Sequence, residues 1–288
     1  MNVASRPEEL EPARRAVAIG TFDGVHLGHR RVIEAALAAN LRPAVVTFDP
    51  HPRTIVGNQV EQLATIRRRL ELFEELGVED VLVLRFDLEL AALEPEAFAA
   101  SILGGVGAEV VAAGDGFRFG RGRAGDLDLL ARLGFDVRRV PIVDNVSSSR
   151  IRQLLAAGEV ERAAKLLGRP AEVEGTVVLG DQRGGTLGFP TANIAVAPGL
   201  LVPAYGIYAG AALGRSAAIS IGTNPHYGGH ERRVEAYLLD YRGDLYGERL
   251  TVELWERLRD EAVFSSEAEL VAAIENDVLR TRAARRPV

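Results

Sequence analysis

The chain has 288 residues and a formal net charge of −6, which argues against nucleic-acid binding driven by overall charge. Its 47% hydrophobic and 26% charged residues suit globular cores, its length suits two domains, and the lack of cysteine excludes disulfides and cysteine-based sites. Residues 1–15 are polar, unlike a secretory signal, and no apolar run approaches the about 20 residues of a membrane span. We therefore expect a cytoplasmic protein without nucleic-acid or membrane partners. The sequence neither supports nor excludes an oligomer.

Short apolar strands alternate with helical stretches through residues 16–141. This rhythm predicts an α/β domain with a parallel sheet and helices on both faces. Ligands of such sheets bind beyond the carboxyl ends of the strands. The predicted strands are 16–19, 44–48, 81–84, 110–113 and 137–140, and the predicted helices are 30–39, 65–76, 95–103 and 127–133.

A glycine-rich turn joins the first predicted strand to the first predicted helix. It reads Gly-Thr-Phe-Asp-Gly-Val-His-Leu-Gly-His from Gly20. Backbone N–H groups at a helix N-terminus favour phosphate, and two histidines three residues apart share a helix face. Polar helix capping is an equally good explanation of these residues taken alone. The candidate nucleotide-binding residues are Gly20, Phe22, Asp23, Gly24 and Gly28, and the candidate catalytic residues are His26 and His29.

Three further segments near predicted strand ends carry candidate ligand contacts. His51 lies between two prolines on a stiff loop, and it is a candidate ligand contact although a surface turn would explain it. Phe117 and Phe119, in a Gly-rich loop, suit a flat ring ligand, and core packing explains them equally well. A predicted helix at 149–157 follows two serines that either cap it or bind phosphate together with an arginine. These candidate phosphate contacts are Ser147, Ser148 and Arg152, and Arg152 is also a candidate catalytic residue.

The order of these segments resembles a known family. H-x-G-H followed by S-S-x-x-I-R resembles the two signatures of the HxGH nucleotidyltransferase superfamily. With F-D-P-H-P and G-x-x-F-x-F-G between them, the pattern is similar to prokaryotic bifunctional riboflavin kinase/FAD synthetases. The resemblance implies a Rossmann-like FMN adenylyltransferase domain over residues 1–168, in which His51, Phe117 and Phe119 contact the flavin. Ser149 replaces a threonine of the pattern, and Gly116 replaces an acidic or amide residue for which Asp115 could substitute.

The pattern changes after Gly168-Arg169-Pro170, which follows a predicted helix at 160–167, and we place the boundary of a second domain, residues 169–288, there. Regularly punctuated strands predict an antiparallel β-domain that is closed or nearly closed. The predicted strands are 173–179, 208–213, 217–221, 234–240 and 250–258. An amphipathic helix over 266–284 is expected to pack on this barrel through Leu270, Ala273, Ile274 and Leu279.

A second glycine-rich segment, residues 175–188, leads into Phe189-Pro190-Thr191-Ala192-Asn193. It lacks the G-K-[ST] of a Walker A loop, but its glycines can follow phosphates closely. Thr191 and Asn193 lie on one face of a predicted strand and offer oxygen ligands to Mg²⁺, although a turn and strand-edge role also explains them. The candidate phosphate-binding residues here are Gly180, Gly188 and Pro190.

The G-F-P-T-A-N string resembles the riboflavin kinase signature. Glu235 lies in an otherwise apolar predicted strand, so we expect its carboxylate to face inward. The resemblance implies that it is the general base. It also implies that Arg259 and Glu261 border the flavin, with a solvated charge run as the alternative. His226 departs from the threonine usual in the family and has no predicted role.

The resemblance covers nearly the whole chain and predicts a bifunctional enzyme. The C-terminal domain would phosphorylate riboflavin with ATP to FMN, and the N-terminal domain would adenylylate FMN with a second ATP to FAD and pyrophosphate, with Mg²⁺ as cofactor. Three alternatives remain at this point. They are a riboflavin kinase with an impaired or regulatory nucleotidyltransferase domain, a nucleotidyltransferase for another phosphorylated acceptor, and a flavin-binding protein without catalysis.

Overall fold

In the computed structural model the chain divides into two compact units, Met1–Ser148 and Ser149–Val288. The structure describes residues 1–55, 57, 60–180, 187–223 and 232–288. Gly184 and Gly185 of the second glycine-rich segment, and His226, lie outside the described residues.

The N-terminal unit contains a six-stranded parallel sheet, which confirms the predicted α/β architecture. Its order is β1-β4-β3-β2-β5-β6. The strands are β1 Asn2–Ala4, β2 Arg15–Ile19, β3 Arg42–Asp49, β4 Asp80–Arg85, β5 Ala108–Gly114 and β6 Asp136–Val140. The helices are α1 Leu27–Leu37, α2 Pro52–Ile55, α3 Ile66–Glu75, α4 Leu88–Ala92, α5 Pro95–Phe98 and α6 Leu127–Arg132. A π-helical segment, Ala99–Gly104, continues α5, and 3₁₀ turns occur at Pro7–Glu9 and Arg121–Arg123.

Both faces of this sheet are buried, as the alternation of side chains along the central strand shows. Val17 and Ile19 of β2 belong to one hydrophobic cluster, and Ala16 and Ala18 belong to the cluster on the other face. Because successive strand residues point to opposite faces, a strand between two helical layers is apolar throughout. The short strand β1 was not predicted, since its three residues carry too little pattern.

The amino ends of the strands meet at a buried charged cluster around Asp80. The carboxylate is fully buried and accepts hydrogen bonds from Arg15 Nε at 2.8 Å, Arg42 Nη2 at 2.9 Å and Asn2 Nδ2 at 2.9 Å. Burial alone would raise the pKa of Asp80, but these hydrogen bonds lower it. The cluster lies at the sheet edge opposite to the motif-bearing loops, so it stabilises the fold.

The C-terminal unit is built on a closed six-stranded barrel with the order β10-β11-β8-β7-β12-β9, which confirms the predicted antiparallel barrel. Its strands are β7 Ala171–Val178, β8 Ala192–Val196, β9 Gly206–Ala212, β10 Arg215–Thr223, β11 Arg232–Leu238 and β12 Arg249–Arg259. Helix α7 spans Ser148–Ala156, α8 spans Val160–Leu167, and the C-terminal helix α9 spans Glu267–Ala283.

The division between the compact units falls earlier than the boundary predicted after residue 168. Helix α8 contacts β7 and β12, and it buries Val160, Ala163, Ala164 and Leu167. Because this apolar face packs on the barrel, helix α8 belongs to the C-terminal unit. The boundary between the functional domains stays a prediction.

The packing predicted for Leu279 of α9 is wrong, because this side chain is 66% exposed. The inner stripe of the helix is formed by Leu270, Ile274, Asp277 and Thr281, at spacings of four, three and four residues. The polar residue Asp277 occupies this stripe because it pairs with Arg259 of β12. A search for apolar spacing alone could not detect that ion pair.

Candidate active sites

The two histidines of the first motif lie together at the start of α1. His26 is the N-cap residue, and its Nδ1 accepts a hydrogen bond from the backbone N–H of His29 at 3.2 Å. The rings stack with their centroids 3.5 Å apart, and His29 meets Phe22 edge to face at 5.3 Å. Because Nδ1 of His26 is an acceptor, its Nε2 carries the proton and is a hydrogen-bond donor. The turn therefore both caps the helix and presents an imidazole donor.

The backbone of this turn is strained. Phe22 and Val25 have φ angles of 50° and 40°, although neither is glycine, and Gly24 has φ 82°. A Cβ on Gly24 would lie 2.8 Å from Cδ1 of Leu63, so glycine is required there for space as well as for conformation. Left-handed backbone costs a non-glycine residue about 1–2 kcal/mol, and such strain is concentrated at functional sites.

Asp23 connects the first motif to two distant segments by hydrogen bonds, at Leu63 and at Ser148. It is 2% exposed, and its Oδ1 accepts a hydrogen bond from the backbone N–H of Leu63 at 2.8 Å. Its carbonyl oxygen accepts the hydroxyl proton of Ser148 at 3.0 Å. The structure thus brings the first and last motifs of the N-terminal unit together. In this arrangement Ser148 donates its proton to protein, so its phosphate contact stays a prediction, as does that of Ser147.

Arg152 belongs to the C-terminal unit, and its predicted contact with phosphate stays a prediction.

Arg69 of α3 was missed at the sequence level. It is 1% exposed, and its guanidinium donates hydrogen bonds to the carbonyl oxygens of Thr21 at 2.8 Å and Phe48 at 3.2 Å. Burial lowers its pKa, and the charges of Asp23 and Asp49 oppose that shift. Arg69 therefore joins the loop that follows β2 to the carboxyl end of β3. The available signal was its position three and four residues before the buried Leu72 and Phe73, on the apolar side of α3.

A cavity of about 550 Å³ opens at the carboxyl end of the sheet, beside Gly20 and Thr21. Phe117 and Phe119 line it, with ring centroids 5.7 Å apart and planes 17° apart. Phe119 is also part of the hydrophobic core, so the core and ligand explanations of this residue are compatible. The remaining aromatic lining residues are Phe48, Phe86 and Phe98.

Gly116 also lines this cavity, whereas Asp115 is not among its lining residues. A Cβ at Gly116 would have Ile142 Cδ1 as its nearest neighbour, at 4.0 Å, so a larger residue fits there. His51 is not among the lining residues either. It is 8% exposed, and its Nδ1 accepts a hydrogen bond from the backbone N–H of Arg53 at 3.1 Å. Flavin contact by His51 therefore stays a prediction.

In the C-terminal unit the second motif lies beside Glu235, because β8 and β11 are neighbouring strands of the barrel. Thr191 Oγ1 donates a hydrogen bond to Glu235 Oε2 at 3.2 Å, and Asn193 pairs in register with Glu235 between β8 and β11. Gly180 lies so close that a Cβ there would be 2.1 Å from Nδ2 of Asn193. Thr191 precedes β8 rather than lying within it. The predicted base and both predicted metal ligands are thus neighbours.

A cavity of about 340 Å³ in the C-terminal unit contains both Thr191 and Glu235 in its lining. Phe189 and Tyr237, which meet edge to face at 5.5 Å, form part of its wall. Gly188 and Pro190, the two other phosphate-binding candidates, are not among the residues that line this cavity. Gly188 has φ 88° with no atom within 4 Å of an added Cβ, and Pro190 is exposed.

The predicted flavin contacts Arg259 and Glu261 line the same cavity. Arg259 Nη2 donates to Oδ2 of the buried Asp277 at 2.7 Å, which holds the guanidinium at the cavity wall. Glu261 lies against β10, where a Cβ on Gly222 would be 1.8 Å from its Oε1. Partial burial raises the pKa of Glu261.

No cluster of three or more His, Cys, Asp or Glu side chains that could hold a metal ion occurs in the described part of the chain. The same described residues include no helix long and apolar enough to cross a membrane.

Comparisons with known proteins assign the two sets of motifs to two different families of domains. A family model described as FAD synthetase matches residues 8–152, and one described as riboflavin kinase matches residues 167–285. A bifunctional riboflavin kinase/FMN adenylyltransferase from Listeria monocytogenes is 36% identical, over 96% of this chain and 94% of the relative. The protein of the same name from Escherichia coli is 36% identical, over 98% of this chain and 95% of the relative.

A solved structure from Streptococcus pneumoniae superposes with a TM-score of 0.86 and 30% identity, over 97% of this chain and 98% of that one. Its title describes a macrolide-efflux protein, which differs from the names of the curated relatives. The two family models match successive parts of this chain, and their descriptions agree with the curated names.

Proposed function

This chain belongs to the bifunctional riboflavin kinase/FMN adenylyltransferase family, and from that premise we propose which of its residues perform the two reactions. It is a transferase with kinase and nucleotidyltransferase activities. Its substrates are riboflavin, FMN and ATP, and its products are FMN and FAD.

We assign the kinase reaction to the cavity that contains Glu235. The primary hydroxyl of riboflavin is neutral, so it needs a base when it attacks the γ-phosphate of ATP. The carboxylate of Glu235 lines the cavity and is already a hydrogen-bond acceptor for Thr191 at 3.2 Å. It takes the hydroxyl proton as the new P–O bond forms and ADP leaves.

Thr191 and Asn193 fit a Mg²⁺ ion by their chemistry. The proton of Thr191 points to Glu235, which leaves oxygen lone pairs for a cation. Asn193, which pairs in register with Glu235 but is not among the cavity-lining residues, carries an amide oxygen as a second ligand. When bound, Mg²⁺ would neutralise charge on the phosphates of ATP. The chain at position 180 passes so close to the side chain of Asn193 that only glycine fits there.

We assign adenylyl transfer to the N-terminal unit. The phosphate of FMN is already anionic, so it needs alignment and charge stabilisation rather than a base. One of its oxygens bonds to the α-phosphorus of ATP, and the bond to pyrophosphate breaks. The imidazole donors His26 and His29, with Ser147, stabilise the charge, while Phe117 and Phe119 contact the flavin ring.

The observation that carries this assignment is the presence of two separate cavities, each beside its own motif. Product analysis by HPLC tests it, with Mg²⁺-ATP and riboflavin in one reaction and Mg²⁺-ATP and FMN in another. FMN and FAD from riboflavin support both sites. FMN without any FAD would instead favour the alternative of an impaired adenylyltransferase domain, which the comparisons do not support.

Gly116 replaces the acidic or amide residue of the family pattern, and Asp115 is the candidate substitute for it. If Asp115 has this role, Asp115→Ala lowers the FAD-forming rate several-fold and leaves the FMN-forming rate unchanged. An unchanged FAD-forming rate in this variant would rule the substitution out. Gly116→Asp, for which the cavity has room, tests the position directly.

A further inference from the structure

We propose that Arg53 and Arg123 bind the phosphate of FMN and so make the N-terminal cavity select FMN over riboflavin. The inference rests on the proposed function of that cavity as the FMN site. Its support comes from the charge of the lining, the pairing of the arginines and the backbone that carries them.

The lining of this cavity is cationic although the chain as a whole has a net charge of −6. Among the described residues that line it, three are arginine and none is aspartate or glutamate. The rest of the wall is mainly aromatic and aliphatic. Such a cavity combines a surface for a flat ring with cations for an anionic group. The arginines are Arg53, Arg118 and Arg123.

The arginines of this region differ in whether protein already neutralises them. Arg118 pairs with Asp126 at 3.1 Å, and Arg121, on the adjacent turn, pairs with Glu94. Within the described chain no carboxylate pairs with Arg53 or Arg123. The planar guanidinium group donates two parallel hydrogen bonds to a phosphate, which makes arginine well suited to this ligand. Two unneutralised guanidinium groups at one cavity are therefore matched to a phosphate dianion.

The backbone holds Arg123 at the cavity in a strained conformation. Its φ is 61°, in the left-handed region that a non-glycine residue occupies at a cost of about 1–2 kcal/mol. Its N–H donates to the carbonyl oxygen of Gly120 at 2.9 Å, which closes the turn. A glycine would adopt this conformation without strain. The presence of arginine is thus explained by what its side chain does rather than by the needs of the turn.

Arg53 is positioned by the proline-rich loop. It follows Pro52 at the start of α2, and its backbone N–H donates to Nδ1 of the buried His51 at 3.1 Å. His51, which is absent from the cavity lining, is in this way a positioning residue for Arg53.

The chemistry of the substrates explains why discrimination needs these cations. Riboflavin and FMN share the ring and the ribityl chain and differ in the phosphate alone. Apolar walls bind both rings about equally, whereas a charged hydrogen bond is made by FMN only. The triphosphate of ATP has the same chemistry, so the test separates the two sources.

The test measures steady-state FAD formation from FMN with the full-length chain. Arg123→Gly removes the guanidinium and relieves the backbone strain, so the variant is expected to fold. We expect its KM for FMN to rise about tenfold or more, because a charge-assisted hydrogen bond is lost. Arg53→Ala should also raise the KM for FMN. Arg121→Ala is the matched control on the same turn, because Glu94 already neutralises Arg121.

Three readouts accompany this KM. The KM for ATP should stay within about twofold, the rate of FMN formation from riboflavin should not change, and inhibition by lumiflavin, a flavin ring without the phosphorylated chain, should be unaffected. An unchanged KM for FMN in Arg123→Gly and Arg53→Ala overturns the proposal. So does a rise in the KM for ATP instead, or an equal loss in Arg121→Ala. If the unmodified chain made no FAD from FMN, the proposed function of the cavity would fail first.

Discussion

The two cavities of this enzyme differ in charge, and the difference follows the charge of the flavin that each is proposed to take. Among the described residues, the C-terminal cavity is lined by three carboxylates and one arginine, Arg259, which Asp277 neutralises. The N-terminal cavity is lined by three arginines and, among the described residues, no carboxylate. Riboflavin is neutral and must lose a proton, whereas FMN is an anion that must be held. Net charge of the chain conceals this contrast, because local groups decide binding.

The two sites also differ in how the backbone presents their side chains. The N-terminal site uses loops after parallel strands, and positive φ angles at Phe22, Val25 and Arg123 show that these loops are strained. In the C-terminal site, Glu235 and Asn193 are placed by antiparallel register inside a closed barrel. Substitutions should therefore affect one reaction at a time.

The largest separation is expected from Glu235→Ala. Loss of the general base should lower FMN formation by about 10²–10⁴-fold, while FAD formation from supplied FMN persists. Glu235→Gln is the matched variant, because its amide oxygen still accepts the hydrogen bond of Thr191 but cannot take a proton. HPLC of both reactions measures the outcome. Kinase activity retained by Glu235→Gln would contradict the base, and a parallel loss of both activities would contradict the two-site assignment.

His26→Asn should separate the reactions in the other direction. Asparagine is a good N-cap residue, so α1 keeps its cap while the imidazole donor is lost. FAD formation should fall about 10²–10³-fold with FMN formation intact. His26→Ala should lose the same activity and, in addition, about 1 kcal/mol of unfolding free energy. FAD formation that survives in His26→Asn would limit His26 to capping.

Arg69→Met tests the support beneath the cationic cavity. It removes a buried guanidinium and leaves the carbonyl oxygens of Thr21 and Phe48 without that donor. The N-terminal unit should lose about 3 kcal/mol of unfolding free energy, measured by denaturant titration, and FAD formation should fall with it. Arg67→Met is the control, since this side chain is 70% exposed and its surface pair with Glu71 contributes about 1 kcal/mol or less. Equal stability losses in both variants would contradict a specific role for Arg69.

The smallest effect concerns Glu261 and pH. Partial burial raises its pKa, so the folded state favours the neutral carboxyl and is destabilised as pH rises through the carboxyl range. Glu261→Gln should raise Tm at neutral pH and leave it unchanged below about pH 4, where the wild-type carboxyl is also neutral. Thermal unfolding at both pH values measures this difference. A Tm gain of the same size at both would show that its cause is not the charge.

Most of the fold was predictable from local patterns. The strands of the parallel sheet are continuous apolar runs because both faces are covered, and the barrel strands are separated by glycine and proline. His26 and His29 could be paired from their spacing alone, because one helical turn joins them. The prediction that Leu279 packs on the barrel is wrong, because Asp277, paired with Arg259, takes a place on the inner face of α9.

The sequence by itself determined the fold class, the family motifs and the chemistry of the side chains within each motif, because these depend on neighbours along the chain. Tertiary structure alone decided which distant residues share a cavity. Arg69 is 48 residues from the carbonyl oxygen that it holds at Thr21, and Arg53 and Arg123 come from separate loops to one lining. The burial of a side chain, the local charge around it and the lack of a neutralising partner are decided when distant segments come together. The spacing of residues along the chain therefore does not predict them.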